Sequence, residues 1–389
     1  MIVRILCLAA LVLTISNCKK DNDPPITGNE PVTAQLVAAQ YATVVLSTYT
    51  DAAASALLMQ TAIRAFVSNP SAETLTAAKT AWLAARAPYG RSEAFRFYGG
   101  PIDAEPGGPE GLMNSWPMDE AYVDYVNGDA GAGIINHPTE FPEITETVLE
   151  DVNQTNAEEE VSTGWHAIEF LLWGQDTSAT GPGARPYTDY VTGAGGTASN
   201  QDRRGQYLNI VTDLLVENLQ YLVDQWKVGG TYSTTFTASA NADASLQMLL
   251  TGIGKFAKGE LGGERMKAYI TREQEDEHSC FSDNTTNDHI YGQEGIMNVY
   301  YGKYTKLDGT VIDGPGIDDL VKQKSATINT AMTTALDEAY AAVKAIPAPF
   351  DQAILVTTDN KVEAASKKVQ AEGDEVVVAA QSIGITVTL

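Results

Sequence analysis

The sequence predicts an all-α protein made of two helical bundles. Apolar residues recur at three- and four-residue spacing over long stretches, as in helices with one buried face. No long stretch shows the alternation of apolar and polar residues that marks a half-buried strand. The 389 residues are 44% hydrophobic, which argues against disorder and provides enough apolar material for two medium-sized domains.

The first residues have the pattern of an export signal. Arg4 precedes an apolar run, Ile5 to Val12, that is too short to span a bilayer. Ile15-Ser16-Asn17-Cys18 resembles a bacterial lipobox, in which the cysteine is lipidated and becomes the mature N-terminus. We therefore assign residues 1–17 as a signal peptide and residues 18–30, beginning at lipidated Cys18, as a flexible tether. An ordinary cleaved signal, in which Cys18 has no role, is the alternative.

The rest of the chain divides at a segment rich in Gly, Ser and Thr, residues 176–201, where we place a domain boundary. A duplicated four-helix unit is one explanation for the similar order of helices and His/Glu clusters on its two sides. In the N-terminal bundle, residues 31–200, the pattern predicts helices at Pro31–Phe66, Ala72–Phe97, Met118–Val126 and Gly164–Trp173, with a loop at Gly99–Met113. In the C-terminal bundle, residues 201–389, it predicts helices at Tyr207–Trp226, Ala244–Phe256, Leu261–His278, Ile317–Val343 and Val362–Ile383, with Val376-Val377-Val378 as a possible strand.

Charge and cysteine content restrict the partners. A net charge of −25 argues against nucleic acid and against direct binding to anionic lipid, so the membrane would be contacted through the lipid anchor alone. Outside the signal and Cys18, Cys280 is the single cysteine, which excludes an intramolecular disulfide and a zinc site made of cysteines. A metal site would have to use histidine and carboxylate ligands.

The first candidate site is Gly164-Trp165-His166-Ala167-Ile168-Glu169. On a helix, His166 and Glu169 lie on one face, so an imidazole and a carboxylate can bind one metal ion. Trp165 and the apolar residues around it lower the local dielectric, and a buried Glu169 must then be paired, protonated or coordinated. For this spacing alone, a simple hydrogen bond between the two side chains is the commoner outcome.

Two further polar clusters accompany this motif. Glu275-Asp276-Glu277-His278-Ser279-Cys280-Phe281-Ser282-Asp283-Asn284 combines an acidic run with a histidine, a lone cysteine and a Ser-Asp-Asn turn. It supplies Glu277, His278 and Asp283 as candidate ligands and Ser282 and Asn284 as supporting polar groups. The third cluster lies on a predicted helix, where arginines can pair with buried carboxylates or contact a ligand. Its members are Trp82, Arg86, Tyr89, Glu93 and Arg96.

These segments resemble the imelysin family. Gly164 to Gly174 is similar to the G-x-H-x-x-E segment of that family, and Glu275 to Thr285 is similar to its second signature. The helix with Trp82, Arg86, Tyr89 and Glu93 and the segment Ser115 to Asp119 resemble further family features. One departure is Thr286-Asn287-Asp288, where relatives often carry His-Arg-Asp, unless the neighbouring His289 substitutes.

The resemblance implies two helical-bundle domains, with His166 and Glu169 meeting the second signature near their interface. It also implies a bacterial envelope protein, often a lipoprotein, associated with iron uptake or iron regulation. The family is catalogued among metallopeptidases. Display toward the periplasm and display at the cell surface of the outer membrane are both open.

Three functions remain open from the sequence. The first is binding of a metal ion, iron before zinc or calcium, or of an iron-related ligand by His166 and Glu169 with some of Glu277, His278 and Asp283, with envelope iron-uptake proteins as partners. The second is a zinc peptidase in which Glu277 is the general base, although the H-E-x-x-H motif is absent. The third is a metal-free pocket for an acidic or peptide-like ligand.

Overall fold

A computed structural model describes residues 31–178 and 180–389. The predicted signal peptide, Cys18 and the tether up to residue 30 lie outside the described residues. Residues Val32–Leu389 form one compact unit. The all-α prediction is confirmed, since the described residues fold into helices with a single two-stranded β-hairpin.

Nine helices of eight residues or more form the framework of the described part. They are α1 (Ala34–Ser68), α2 (Ala72–Ser92), α3 (Gly164–Trp173), α4 (Gln201–Trp226), α5 (Ala242–Lys255), α6 (Thr285–Tyr301), α7 (Ile317–Lys324), α8 (Ala326–Lys344) and α9 (Lys361–Ser382). Shorter α-helices lie at Glu110–Met113, Glu120–Val123, Glu146–Val152, Thr231–Phe236, Ala268–Thr271 and Phe350–Ile354. Single 3₁₀ turns lie at Glu93–Phe95, Ile134–Asn136, Tyr187–Tyr190, Ser239–Asn241 and Gln274–Asp276. The hairpin pairs β1 (Lys303–Thr305) with β2 (Val311–Asp313) in antiparallel register.

Helices α1 and α2 pack against each other across the break at Asn69-Pro70-Ser71 that the sequence predicts. Ser71 begins α2 with a reciprocal capping box to Thr74, which satisfies backbone N–H groups that the helix leaves free. By length and composition α1 could cross a membrane. However, 61% of its most apolar 18-residue window is buried inside the fold, so within the described residues it has the character of a core helix.

Helices from both sides of residue 200 pack together. Helix α1 contacts α4, and α2 contacts both α3 and α6. These contacts bring the first predicted motif, on α3, close to the segment that precedes α6. The division of the chain into domains at residue 200 stays a prediction.

The predicted helix from Leu261 to His278 is wrong over most of its length. Helix α5 continues instead as a π-helical segment, Phe256–Glu264, and the chain is helical again only at Ala268–Thr271. Arg272 ends that turn with a left-handed backbone (φ 61°). His278 consequently lies in a turn, where its direction is set by the loop. Val376 to Val378 belong to helix α9, so the strand alternative is also wrong.

Candidate functional site

Helix α3 places the first motif inside the core, where all ten of its residues are buried. Gly164 begins the helix with φ +86°, and a Cβ at this position would lie 2.4 Å from the carbonyl oxygen of Met113. Only glycine meets both conditions without strain. Gly174 (φ 72°) ends the helix, as predicted.

His166 and Glu169 form a fully buried pair. Nδ1 of His166 lies 3.0 Å from Oε2 of Glu169, while its Nε2 has no hydrogen-bond partner. The backbone N–H and the hydroxyl of Ser282 donate to Oε1 of Glu169, at 2.9 and 2.6 Å. Burial raises the pKa of Glu169 to about 8 and lowers the pKa of His166 well below its usual value. At neutral pH the pair therefore holds two protons, one on the imidazole and one on the Glu169 carboxyl. When one proton is lost, Nδ1–H donates to the carboxylate and Nε2 has a free lone pair.

His278 lies beside this pair. Its ring centroid is 4.7 Å from that of His166, with the two ring planes at 80°. Nδ1 of His278 lies 3.3 Å from Oδ2 of Asp288, and Nε2 lies 3.5 Å from the amide nitrogen of Asn114. Burial lowers the pKa of His278, so both imidazoles are neutral at physiological pH.

Arg86 and Asp288 form the ion pair beneath the imidazoles. Nη2 of Arg86 lies 2.8 Å from Oδ2 of Asp288, and both side chains are fully buried. Burial acts against ionisation of Asp288, but the Arg86 guanidinium outweighs it and lowers the pKa of that carboxyl. Around the guanidinium, at 5.4 to 5.5 Å from its carbon, lie the rings of Trp82, Tyr89 and Trp165. The carboxylate also accepts hydrogen bonds from the hydroxyl of Ser279 (2.5 Å) and the amide of Asn284 (2.9 Å).

A second buried ionic group is centred on Glu93. Arg265 donates to it through Nη2, and Nη1 of Arg96 lies 3.5 Å away. Burial opposes ionisation of Glu93, yet Arg265 prevails and holds the pKa of this carboxyl at about 2. The arginines also bind carboxylates nearer the surface, Arg96 to Glu110 at 2.7 Å and Arg265 to Glu260 at 2.9 Å.

Glu277 and Asp283, the other two predicted metal ligands, have different surroundings. Oε2 of Glu277 accepts a hydrogen bond from the hydroxyl of Thr285 at 3.3 Å, and burial with the charges of Asp351 and Asp283 raises the pKa of Glu277 to about 9. Asp283 has a left-handed backbone (φ 57°), and burial raises the pKa of its carboxyl to about 6. Among the described residues, no three His, Cys, Asp or Glu side chains are arranged to hold a metal ion. Direct contacts thus join His166, Glu169 and His278, whereas Glu277 bonds to Thr285.

His278 lies at the wall of a cleft of about 510 Å³. Trp116 lines the same cleft, and its ring covers His166 at a centroid distance of 4.9 Å. The cations of the lining, Arg96, Arg265 and Lys267, each pair with a carboxylate that also lines it. Three more acidic residues, Glu158, Glu275 and Asp276, leave the cleft with excess negative charge.

The sequence did not identify several residues that build this site. Asp288, Arg265 and Asn114 are polar residues outside any recognisable spacing, and their partners Arg86 and Glu93 are distant along the chain. Ser279 lies inside the second motif but was given no role, and its partner Asp288 is nine residues away. Asp288 belongs to Thr286-Asn287-Asp288, the segment where the chain departs from the family pattern. That departure was a weak indication that this segment belongs to the site. Trp116 was included in a family-like segment, but without a role.

The fold and the site define a helical protein with two adjoining buried imidazoles, each with a carboxyl group at Nδ1, and with one of them, His278, at the wall of an acidic cleft. The model of the imelysin family, peptidase family M75, matches residues 45–378, and the chain belongs to this family.

The chain is also similar to individual proteins and solved structures. The chain is 26% identical over 322 residues to iron-regulated protein A of Synechococcus elongatus, with 79% of this chain and 74% of that protein covered. A crystal structure from Parabacteroides distasonis, described as an iron-regulated protein A precursor, has the same fold, with a TM-score of 0.69, 18% identity, and 92% and 97% of the two chains covered. An imelysin-like protein from Psychrobacter arcticum has a TM-score of 0.60 at 12% identity, with 92% and 98% covered.

Proposed function

We propose that this protein is an envelope lipoprotein of bacterial iron uptake that binds iron, or a small iron-bearing ligand, at His166 and His278. The observation that carries the proposal is the contact between two neutral imidazoles, one of which, His278, lies at the wall of an acidic cleft. The name of the Synechococcus relative, iron-regulated protein A, supports iron as the metal.

The surroundings of both histidines suit metal ligands. Glu169 lies at Nδ1 of His166, and Asp288 lies at Nδ1 of His278. Histidines in metal sites commonly donate one ring N–H to a carboxylate, which orients the ring and leaves the other nitrogen for the metal. The buried Nε2 of His166 has no partner among the described residues, and such an atom calls for a ligand. Imidazole nitrogens of this kind suit iron and zinc better than calcium.

The charge of the cleft favours a cation. Its own arginines and lysine are already paired, so Glu158, Glu275 and Asp276 determine the sign of the field. This arrangement attracts a metal ion and repels a strongly acidic ligand. A metal-free pocket for an acidic ligand is therefore the weaker alternative.

The position of Glu277 gives the peptidase alternative no support. A general base must be ionised and must reach the proton that it removes. The carboxyl group of Glu277 is fully buried and bonded to Thr285, and its raised pKa of about 9 keeps it protonated at neutral pH.

Export and lipidation are tested separately from metal binding. The proposal expects radiolabelled palmitate to be incorporated into the wild-type protein in the producing bacterium and to be absent from Cys18→Ala. Incorporation into both proteins would contradict lipidation at this residue.

Isothermal titration of the purified mature protein tests metal binding. Ferrous and ferric iron, zinc and calcium are compared, and the proposal expects iron to bind far more tightly than about millimolar, with calcium weakest. Iron binding no tighter than about millimolar would contradict it.

A further inference from the structure

We infer that the cleft receives iron as a small chelate of low net charge, formed with an oxygen-donor molecule of the hydroxamate or carboxylate type, rather than as a bare ion. The inference rests on the proposed function and specifies the ligand of the same site. Three observations carry it: the size of the cleft, the free N–H groups on its lining residues and the small number of protein ligands.

The cleft is too large for an ion alone. Its volume is about 510 Å³, within the range of roughly 300–1,000 Å³ that is typical of sites for small organic molecules. A bare metal ion at His278, with His166 behind it and outside the lining, would leave most of this space to solvent. A chelate carries its own organic shell and would fill it.

Three residues of the lining have a buried N–H group without a partner in the part of the chain that the structure describes. They are Nε of Arg96, Nε1 of Trp116 and Nη1 of Arg265. The residues Arg96 and Arg265 are 9% and 5% exposed, and carboxylates already hold their other guanidinium nitrogens. Because unpaired buried donors are costly, they call for acceptor atoms from a ligand. A bare cation offers no acceptor, whereas the oxygen atoms of a chelator do.

The protein supplies few metal ligands. Nε2 of His166 is unpaired, and Nε2 of His278 has a long contact of 3.5 Å with the Asn114 amide that a metal would have to replace. Within the described residues no three His, Cys, Asp or Glu side chains form a coordination group. Iron in proteins commonly has more ligands than these two. The oxygen atoms of a chelator would occupy the remaining positions and at the same time accept hydrogen bonds from the lining.

The carboxylates of the cleft restrict the charge of the chelate. Glu158, Glu275 and Asp276 carry no balancing cation among the lining residues and would repel a chelate with several negative charges. A ferric complex with two hydroxamates has a charge of only +1, leaves two positions for imidazoles and avoids this repulsion, whereas a ferric citrate of high negative charge does not. The inference therefore predicts that the cleft binds the ferric hydroxamate more tightly than ferric citrate.

Equilibrium dialysis with two radiolabels tests the inference. The mature protein is dialysed against labelled ferric iron with labelled acetohydroxamate, against ferric citrate, and against ferrous iron without oxygen. We expect iron and hydroxamate to be retained together, at least about tenfold more tightly than ferrous iron and than ferric citrate.

The other outcomes of the dialysis distinguish failure of the inference from failure of the proposed function. Iron retained without hydroxamate would overturn the inference and leave the proposed function standing. Iron retained in none of the three forms would contradict the proposed function itself. Hydroxamate retained equally well without iron would also overturn the inference, because the metal would then contribute nothing to recognition.

A variant tests the role of the N–H donors. Trp116→Phe keeps an aromatic ring over His166 but removes Nε1–H, so the preference for the hydroxamate chelate over ferrous iron should fall about tenfold. The matched control is Trp226→Phe, since Trp226 is buried in α4 against Tyr232 and Phe236 and does not line the cleft. An equal preference in Trp116→Phe and in the control would overturn the inference.

Discussion

The imidazole of His166 lies edge-on to that of His278, at a centroid distance of 4.7 Å, although the two residues belong to distant segments of the chain. Helix α3 supplies the first, and the turn before α6 supplies the second. Each has a carboxylate at Nδ1, from Glu169 and Asp288 respectively. Two neutral imidazoles at this distance, with a carboxylate behind each, have the composition of a partial metal site.

Removal of either imidazole should abolish most of the iron binding. His166→Ala and His278→Ala each take away one of two nitrogen ligands, and we expect a loss of affinity of about a hundredfold or more in a titration with iron. The matched control is His137→Ala, because His137 is exposed and its Nδ1 contacts the carbonyl of Gly133 in its own loop. Unchanged affinity in His166→Ala would refute its role as a ligand.

Asp288 should be essential for stability because it neutralises a buried cation. Asp288→Ala leaves the guanidinium of Arg86 uncompensated inside the core, and we expect a loss of about 3–5 kcal/mol in the free energy of unfolding. Urea denaturation followed by circular dichroism measures it. The control Asp374→Ala removes an exposed pair with Lys258 and should cost less than about 1 kcal/mol. Similar losses in the two variants would show that the buried pair has no special importance.

Gly164 should tolerate no side chain. Gly164→Ala places a methyl group against the carbonyl of Met113 at a positive φ, so we expect a loss of more than about 1 kcal/mol in unfolding free energy, together with weaker iron binding through displacement of His166. Gly259→Ala is the control, since a Cβ there meets nothing within 4 Å. If both variants were as stable as the wild type, the result would contradict the close approach of α3 to the carbonyl of Met113.

Glu372 should make stability fall as pH rises. Its side chain is fully buried in α9, Gln293 donates to it at 2.6 Å, and burial raises its pKa well above the usual value. In the unfolded chain this carboxyl ionises near its ordinary pKa of about 4.3, whereas the folded protein keeps it protonated. Between about pH 4.3 and the raised pKa of the folded state, the free energy of unfolding therefore falls by about 1.4 kcal/mol per pH unit.

Glu372→Gln should remove this contribution. We expect the variant to be more stable than the wild type at pH 7, with a difference that increases with pH, in urea denaturation at several pH values. The matched control is Glu363→Gln, the same substitution in the same helix at a side chain that is 43% exposed. Parallel profiles for wild type and Glu372→Gln would contradict burial of a neutral carboxyl.

Local signals in the sequence were sufficient for most of the helical framework. The break at Asn69-Pro70-Ser71, the end of α3 at Gly174 and the amphipathic α4 all depend on neighbouring residues, and the structure confirms them. The π-helical segment Phe256–Glu264 was missed because a glycine-rich stretch has no periodicity of its own. Its conformation depends on the close approach of α9, since a Cβ on Gly262 would meet Gln370 at 3.0 Å. The strands of the hairpin, three residues each, are too short for a pattern to appear.

The candidate site was predictable only in part. The spacing of His166 and Glu169 predicted their hydrogen bond, because i,i+3 neighbours on a helix are in contact. The pairing of Arg86 with Asp288 could not be predicted, since charge alone does not select one carboxylate among many. Glu277 was expected to share a site with its neighbour His278. The turn that replaces the predicted helix leaves Glu277 bonded to Thr285 instead.

X-ray absorption at the iron edge tests the central claim most directly. The protein is loaded with iron, and the number of imidazole ligands is determined from the multiple-scattering signal of the rings. We expect two imidazoles per iron in the wild type, with oxygen in the remaining positions, and one imidazole in His166→Ala and in His278→Ala. A shell made only of oxygen, or a spectrum unchanged by both substitutions, would show that iron does not bind at this histidine pair.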